Sequence, residues 1–185
     1  MAKVLVPLAD GFEEIEAVTV VDVLRRGGVE VVAASISQNL EVKGAHGMII
    51  HADRLFAEVE NGDYDMIILP GGGEGTQNLK NCEALIERLR RQKDAGLMNA
   101  AICAAPLVLA EAGVAEPGIH MTCYPTVSVE MDRPVAQVPV IADRDIVTGQ
   151  APGAAMLFAL VILKILAGER VANKVARGLV TDVLE

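Results

Sequence analysis

The chain has 185 residues, and 16 lysines and arginines against 25 aspartates and glutamates leave a formal charge of −9. Just over half of it is apolar (52%), only 3% is aromatic, and tryptophan is absent. These values exclude a disordered chain, which lacks the apolar surface to offset its entropy, and a basic nucleic-acid-binding face; the length suits a single domain over residues 1–185.

In chain order, residues 4–8 form a short apolar run stopped by Asp10-Gly11, which predicts a buried strand. Residues 14–26 carry Ile15, Val18, Val21 and Leu24 at helical spacing and stop at Gly27-Gly28. A β-branched run at 29–34 predicts the second strand. Strand, helix, strand in so few residues is a βαβ unit, and parallel pairing follows. Further strands are expected at 48–50, 65–69 and 99–102, with helices at 81–95, capped by Asn81, and at 106–112, stopped by Gly113. Residues 120–122 suggest one more strand, and 136–141 with 145–148 suggest a hairpin. Pro152 stands at a helix start and opens an apolar helix to Ala167, followed by a last amphipathic helix from Val171 through Val175. This alternation predicts an α/β fold, helices covering both faces of a mainly parallel sheet.

The longest apolar run, 154–163, falls short of the roughly 20 residues a membrane span needs, and no signal-peptide pattern opens the chain. Cys82, Cys103 and Cys123 are odd in number and form no metal-ligand pattern with His46, His51 and His120. The expectation is a cytoplasmic protein with reduced thiols, no bound metal, and neither membrane nor nucleic acid as partner.

Ligand sites in such sheets lie beyond the carboxyl ends of the strands, and three of those ends carry chemistry. At Ile102-Cys103-Ala104-Ala105-Pro106 a strand turns directly into a helix with Cys103 at the corner, the layout of a nucleophile elbow. The helix dipole there is expected to lower the thiol pKa; the plain alternative is a buried structural cysteine. After the first strand, Glu13, Glu14 and Glu16 crowd one helical turn. A capping box from Asp10 to Glu13 and the dipole explain two of them. Glu16, one turn in beside an Ile15 expected to be buried, is the carboxyl expected to hold a proton near neutral pH. Pro70-Gly71-Gly72-Gly73-Glu74-Gly75 lacks both the dinucleotide fingerprint and the phosphate-loop lysine. It is either a tight turn or, beside a reactive cysteine, an oxyanion hole.

Together, Gly11-Phe12-Glu13-Glu14-Ile15-Glu16, Leu69-Pro70-Gly71-Gly72, Gln77-Asn78-Leu79, Ala101-Ile102-Cys103-Ala104-Ala105-Pro106 and Ala151-Pro152-Gly153 resemble the ThiJ/PfpI superfamily. Within it they resemble the branch of the Parkinson-disease-associated DJ-one protein and its bacterial relatives. The resemblance implies one class I glutamine-amidotransferase-like domain, a flavodoxin-like three-layer sandwich and a homodimer. It implies Cys103 as reactive cysteine, Glu16 as its hydrogen-bonding acid, and the backbone N–H groups of Gly72 and Ala104 as the oxyanion hole. It further implies cofactor-free glyoxalase or deglycase chemistry on methylglyoxal, related α-oxoaldehydes or their adducts, giving 2-hydroxy acids. The alternative it carries is a non-enzymatic stress sensor or chaperone whose Cys103 oxidises to a sulfinate held by Glu16.

The chain departs from the family pattern at three places. Tyr124, in Met121-Thr122-Cys123-Tyr124-Pro125, stands where relatives often have histidine, which removes a Cys–His pair and argues against protease or amidotransferase chemistry. Ala105 replaces a frequent glycine and Gln150 an arginine. Tyr124, Gln150 and Cys123 are accordingly expected as neighbours of the site, with a Cys103–Cys123 disulfide left open by the sequence.

Overall fold

The computed structural model describes residues 1–131 and 133–181. Within them, β1 (Lys3–Leu8), β2 (Glu30–Ser35), β5 (Arg54–Leu55), β6 (Met66–Leu69), β7 (Met98–Ile102), β8 (Val140–Asp143) and β9 (Ile146–Gly149) form a sheet of order β5-β2-β1-β6-β7-β9-β8. All neighbours pair in parallel except the β8–β9 hairpin at one edge. A separate antiparallel pair, β3 (Glu41–Lys43) and β4 (Ile49–His51), stands beside the sheet. The strand order is that of a flavodoxin-like fold, and it reverses between β1 and β6.

Alternate residues of the central strands feed two cores. Val4, Val6, Leu8, Ile68 and Ile102 face one side, beneath α1 (Glu14–Arg26), α6 (Ala155–Ala167) and α7 (Glu169–Gly178). Leu5, Ile67, Leu69 and Ala101 face the other, beneath α2 (Phe56–Val59), α3 (Gly73–Lys80), α4 (Glu83–Asp94) and α5 (Pro106–Ala112). Phe158, Leu160 and Leu163 make α6 a buried helix, as its sequence suggests, and no helix among the described residues is long and apolar enough to cross a membrane.

Several local expectations are corrected. The glycine-rich segment after β6 is the start of helix α3, whose Gly75 N–H donates to the Gly11 carbonyl and whose Asn78 side chain donates to the Asp10 carbonyl. Asn81 closes α3; Cys82 begins α4. Residues 120–122 form no strand: the backbone N–H and ring Nδ1 of His120 both bind Asp143 Oδ2 (2.8 and 3.0 Å), and Thr122 N–H is taken by the Thr148 hydroxyl. The hairpin turns more tightly than expected, through Arg144 at φ 54°.

The inward face of α1 is also rotated. Glu14, Glu16, Ala17, Val20, Val23 and Leu24 are buried, while Ile15 (57% exposed) and Val18 face out. Met48 and Ile49 are exposed as well. Val18 and Val21 line a surface groove with Ile50 of β4, rimmed by Asp22, Arg25 and Asp53.

Candidate active site

The loops leaving β1, β6 and β7 lie side by side at the carboxyl end of the sheet, next to the point where strand order reverses. Cys103 occupies the turn from β7 into α5 at φ 65°, a left-handed conformation that strains a non-glycine residue. Backbone hydrogen bonds hold it there from both sides. Its N–H donates to the Gly149 carbonyl (2.9 Å), and its own carbonyl accepts the Tyr124 N–H (2.8 Å). The residue is buried, 8% exposed, so the thiol is recessed between the loops.

Glu16 reaches this thiol from the first turn of α1 and is fully buried. Its Oε2 accepts the Gly71 N–H at 2.7 Å. Oε1 has no hydrogen-bond partner among the described residues, and the Cys103 thiol is close enough to favour the ionised carboxyl. The backbone N–H groups of Gly72 and Ala104 favour the ionised sulfur. Glycine is required between these groups. A Cβ on Gly71 would sit 2.7 Å from the Cys103 Cβ and 2.9 Å from Glu16 Oε2. Gly72, at φ 95°, caps α3 with its backbone pressed against the Gly11 carbonyl, leaving no room for a side chain.

Burial dominates the electrostatics. It pushes the Glu16 carboxyl from 4.5 up to about 7, against the Gly71 N–H and the thiol, with the charge of Glu13 adding to the rise. Burial also pushes the Cys103 thiol up to about 12, reinforced by the charge and hydrogen bond of Glu16 and opposed by the Gly72 and Ala104 N–H groups. The expected lowering of the thiol by the helix end is therefore overturned: the N–H groups are in place, but desolvation and the neighbouring carboxylate outweigh them. Two anions resist sharing this pocket, so from near neutrality upward the pair holds one negative charge and one proton. When the proton sits on Glu16, the carboxylate no longer opposes a thiolate, and the two N–H groups remain to hold it.

The surrounding carboxylates differ from the expected arrangement. Asp10 makes no capping box; its Oδ1 accepts the Lys43 N–H at 2.9 Å. Glu13 is the N-cap, with Oε1 on the Ile15 N–H at 3.3 Å. Glu14 binds the backbone N–H and Nδ1 of His46 (2.7 and 2.8 Å), a residue to which the sequence alone gives no role. Donor atoms of Glu13, Glu14 and His46 lie within 4.8 Å of one another. The oxygens of Glu14 are already engaged by His46 and the Met48 N–H, so the cluster is an ion pair of His46 with the two carboxylates.

Of the expected neighbours, Tyr124 touches Cys103 through its backbone and leaves its side chain 40% exposed. Gln150 follows Gly149 and pairs its side chain with Gln137 Oε1 at 3.0 Å. Cys123 is fully buried and packs in the opposite core from Cys103, and all three cysteines are free in this structure. Gly71, which joins Glu16 to the cysteine turn, is the site residue whose role the sequence leaves unstated; its place in Pro70-Gly71-Gly72-Gly73 is the signal.

The DJ-1/PfpI family model matches residues 2–165. The chain is 39% identical over 181 residues to Protein DJ-1 homolog B of Arabidopsis thaliana, covering 96% of this chain and 41% of that one; it spans less than half the length of the two Arabidopsis relatives it matches. It is 37% identical over 182 residues to the glutathione-independent glyoxalase DJR-1.2 of Caenorhabditis elegans, covering 96% and 95% of the two chains. Among solved structures, oxidized Toxoplasma gondii DJ-1 superposes with a TM-score of 0.94 at 37% identity, covering 98% and 99% of the chains. By sequence along nearly its whole length, and by its fold, the chain belongs to the DJ-1/PfpI family.

Proposed function

We propose that the protein is a cofactor-free glyoxalase that converts methylglyoxal and related α-oxoaldehydes into 2-hydroxy acids, with deglycation of aldehyde adducts drawing on the same site. One observation carries the reading: a buried acid and two backbone N–H groups converge on one sulfur. The thiolate of Cys103 adds to the aldehyde carbon while Glu16 gives its proton to the new oxyanion, held meanwhile by the Gly72 and Ala104 N–H groups. The Glu16 carboxylate then removes the hydrogen from that carbon and returns a proton to the adjacent ketone carbon, while the hydroxyl proton on the first carbon passes to the former ketone oxygen. The product is a 2-hydroxyacyl thioester. Water cleaves it to the hydroxy acid and regenerates the thiol. A pair holding one charge and one proton supplies both needs of this sequence. The name of the Caenorhabditis relative agrees with it. The test is proton NMR of purified protein with methylglyoxal and no glutathione; lactate above the protein-free control is expected, and its absence refutes the reading.

The same convergence favours a second reading, a peroxide sensor, because a protonated Glu16 and two N–H groups also hold a sulfinate. Intact mass after mild peroxide separates the two. Two added oxygens on Cys103, lost in Glu16→Leu, in a protein that makes no lactate would favour the sensor.

We also infer a homodimer. Ile15, Val18, Met48 and Ile49 are exposed apolar side chains, and Val18 lines a groove with Ile50, next to Ile49; apolar surface of this kind marks an interaction site. Val18→Glu is expected to halve the particle mass measured by light scattering; an unchanged mass in wild type and variant places the dimer contact elsewhere or removes it.

A further inference from the structure

We propose that His46 is a positioning residue for the Glu16–Cys103 pair: its imidazolium, seated against the Glu13 and Glu14 carboxylates, offsets their charge where it bears on Glu16 and so sets the pH at which the pair gives up its first proton. This rests on the reading that Glu16 and Cys103 are the reactive pair, and it adds a residue outside the pocket that governs them.

The geometry is specific. His46 lies in the turn between β3 and β4, with its side chain 71% exposed, yet it presents two donors to one buried carboxylate, backbone N–H to Glu14 Oε1 and Nδ1 to Oε2. The same Nδ1 lies 3.5 Å from Glu13 Oε2. The β3–β4 hairpin is tied to the loop before α1 independently, by the Ala45 N–H on the Phe12 carbonyl (2.8 Å) and the Gly11 N–H on the Lys43 carbonyl (2.7 Å). From Glu13 the connection inward is short: its N–H donates to the Gly71 carbonyl (2.9 Å), and the Gly71 N–H donates to Glu16.

The charges act through space across the same few residues. The groups facing His46 are Glu13 and Glu14; those facing Glu16 are Glu13 and Cys103. Hydrogen bonding to Glu14, then the charges of Glu13 and Glu14, keep His46 protonated to higher pH than an ordinary histidine. Burial alone would raise Glu14, but the hydrogen bonds from His46 and the backbone leave it lowered, so Glu14 stays ionised. Glu13 makes Glu16 harder to ionise. A cation on the Glu13 carboxylate weakens that effect, and removing the cation restores it in full.

The experiment follows the Glu16 carboxyl carbon by NMR from about pH 5 to about pH 9 in wild type, His46→Gln and His46→Arg. Glutamine keeps a donor for Glu14 without charge; arginine keeps the charge at every pH of the range. The Glu16 midpoint is expected to rise by about half to one pH unit in His46→Gln and to stay at or below the wild-type value in His46→Arg. Coincident midpoints in wild type and His46→Gln would overturn the proposal, as would an arginine variant that follows the glutamine one. The readout needs no turnover. A protein that makes no lactate but shifts its midpoint as described refutes the glyoxalase reading and upholds the role of His46.

Discussion

Cys103→Ala is expected to lower lactate formation from methylglyoxal by at least about a thousand-fold, to the protein-free rate. No other nucleophile occupies the position. Cys123 is sealed in the opposite core, and Cys82 begins α4, away from the reactive turn. The remaining groups cannot compensate, because Gly72 and Ala104 stabilise an oxyanion only after a bond to the substrate has formed. The fold should survive the change: alanine removes one sulfur from a position whose backbone is fixed by Gly149 and Tyr124. Cys82→Ser is the control, with turnover expected to match wild type. A Cys103→Ala protein that retains the wild-type rate, with its folding verified by circular dichroism, would remove the thiol from the mechanism.

The parts of this arrangement differ in how legibly the sequence encodes them. The parallel strands are readable because a strand buried on both faces must be apolar throughout, and residues 4–8, 65–69 and 99–102 are nearly so. The cysteine turn is readable because Pro106 starts a helix immediately after a strand. Helix α3 is not, since Gly73-Glu74-Gly75-Thr76 has little helical preference of its own. It is held by bonds to Gly11 and Asp10, residues more than sixty positions away. The inward face of α1 is misread for a related reason. The helix carries apolar residues on two sides, and local spacing cannot say which side meets the sheet; the buried stripe carries Glu16 inward, and the other stripe faces outward as the proposed dimer surface. The thiol is misread because its helix end is visible in the sequence, whereas the desolvation that outweighs it is a property of the whole packed site.

That desolvation has a measurable consequence at Glu16. Glu16→Gln is expected to make the protein more stable above neutral pH while lowering turnover by about a hundred- to ten-thousand-fold. Glutamine fits the same space and keeps an oxygen for the Gly71 N–H, but it carries no charge and moves no proton. The sign follows from the direction of the shift. The folded carboxyl binds its proton up to about pH 7, whereas the unfolded one releases it near 4.5. Between those values the folded state holds the extra proton, so wild-type stability declines as pH rises through this window. A shift of this size corresponds to about 3 kcal/mol of stability, fully present below pH 4.5 and fully lost above about pH 7. For a chain of this length that is a melting temperature higher by about 6–12 °C in the variant near pH 8, closing toward equality with wild type near pH 4.5. Thermal melts of both proteins across that range decide the matter. A Glu16→Gln protein that melts at or below wild type at pH 8 would mean that the buried carboxylate is compensated, by the thiol or by His46 through Glu13, and that the acid at the centre of the proposed mechanism is an ordinary one.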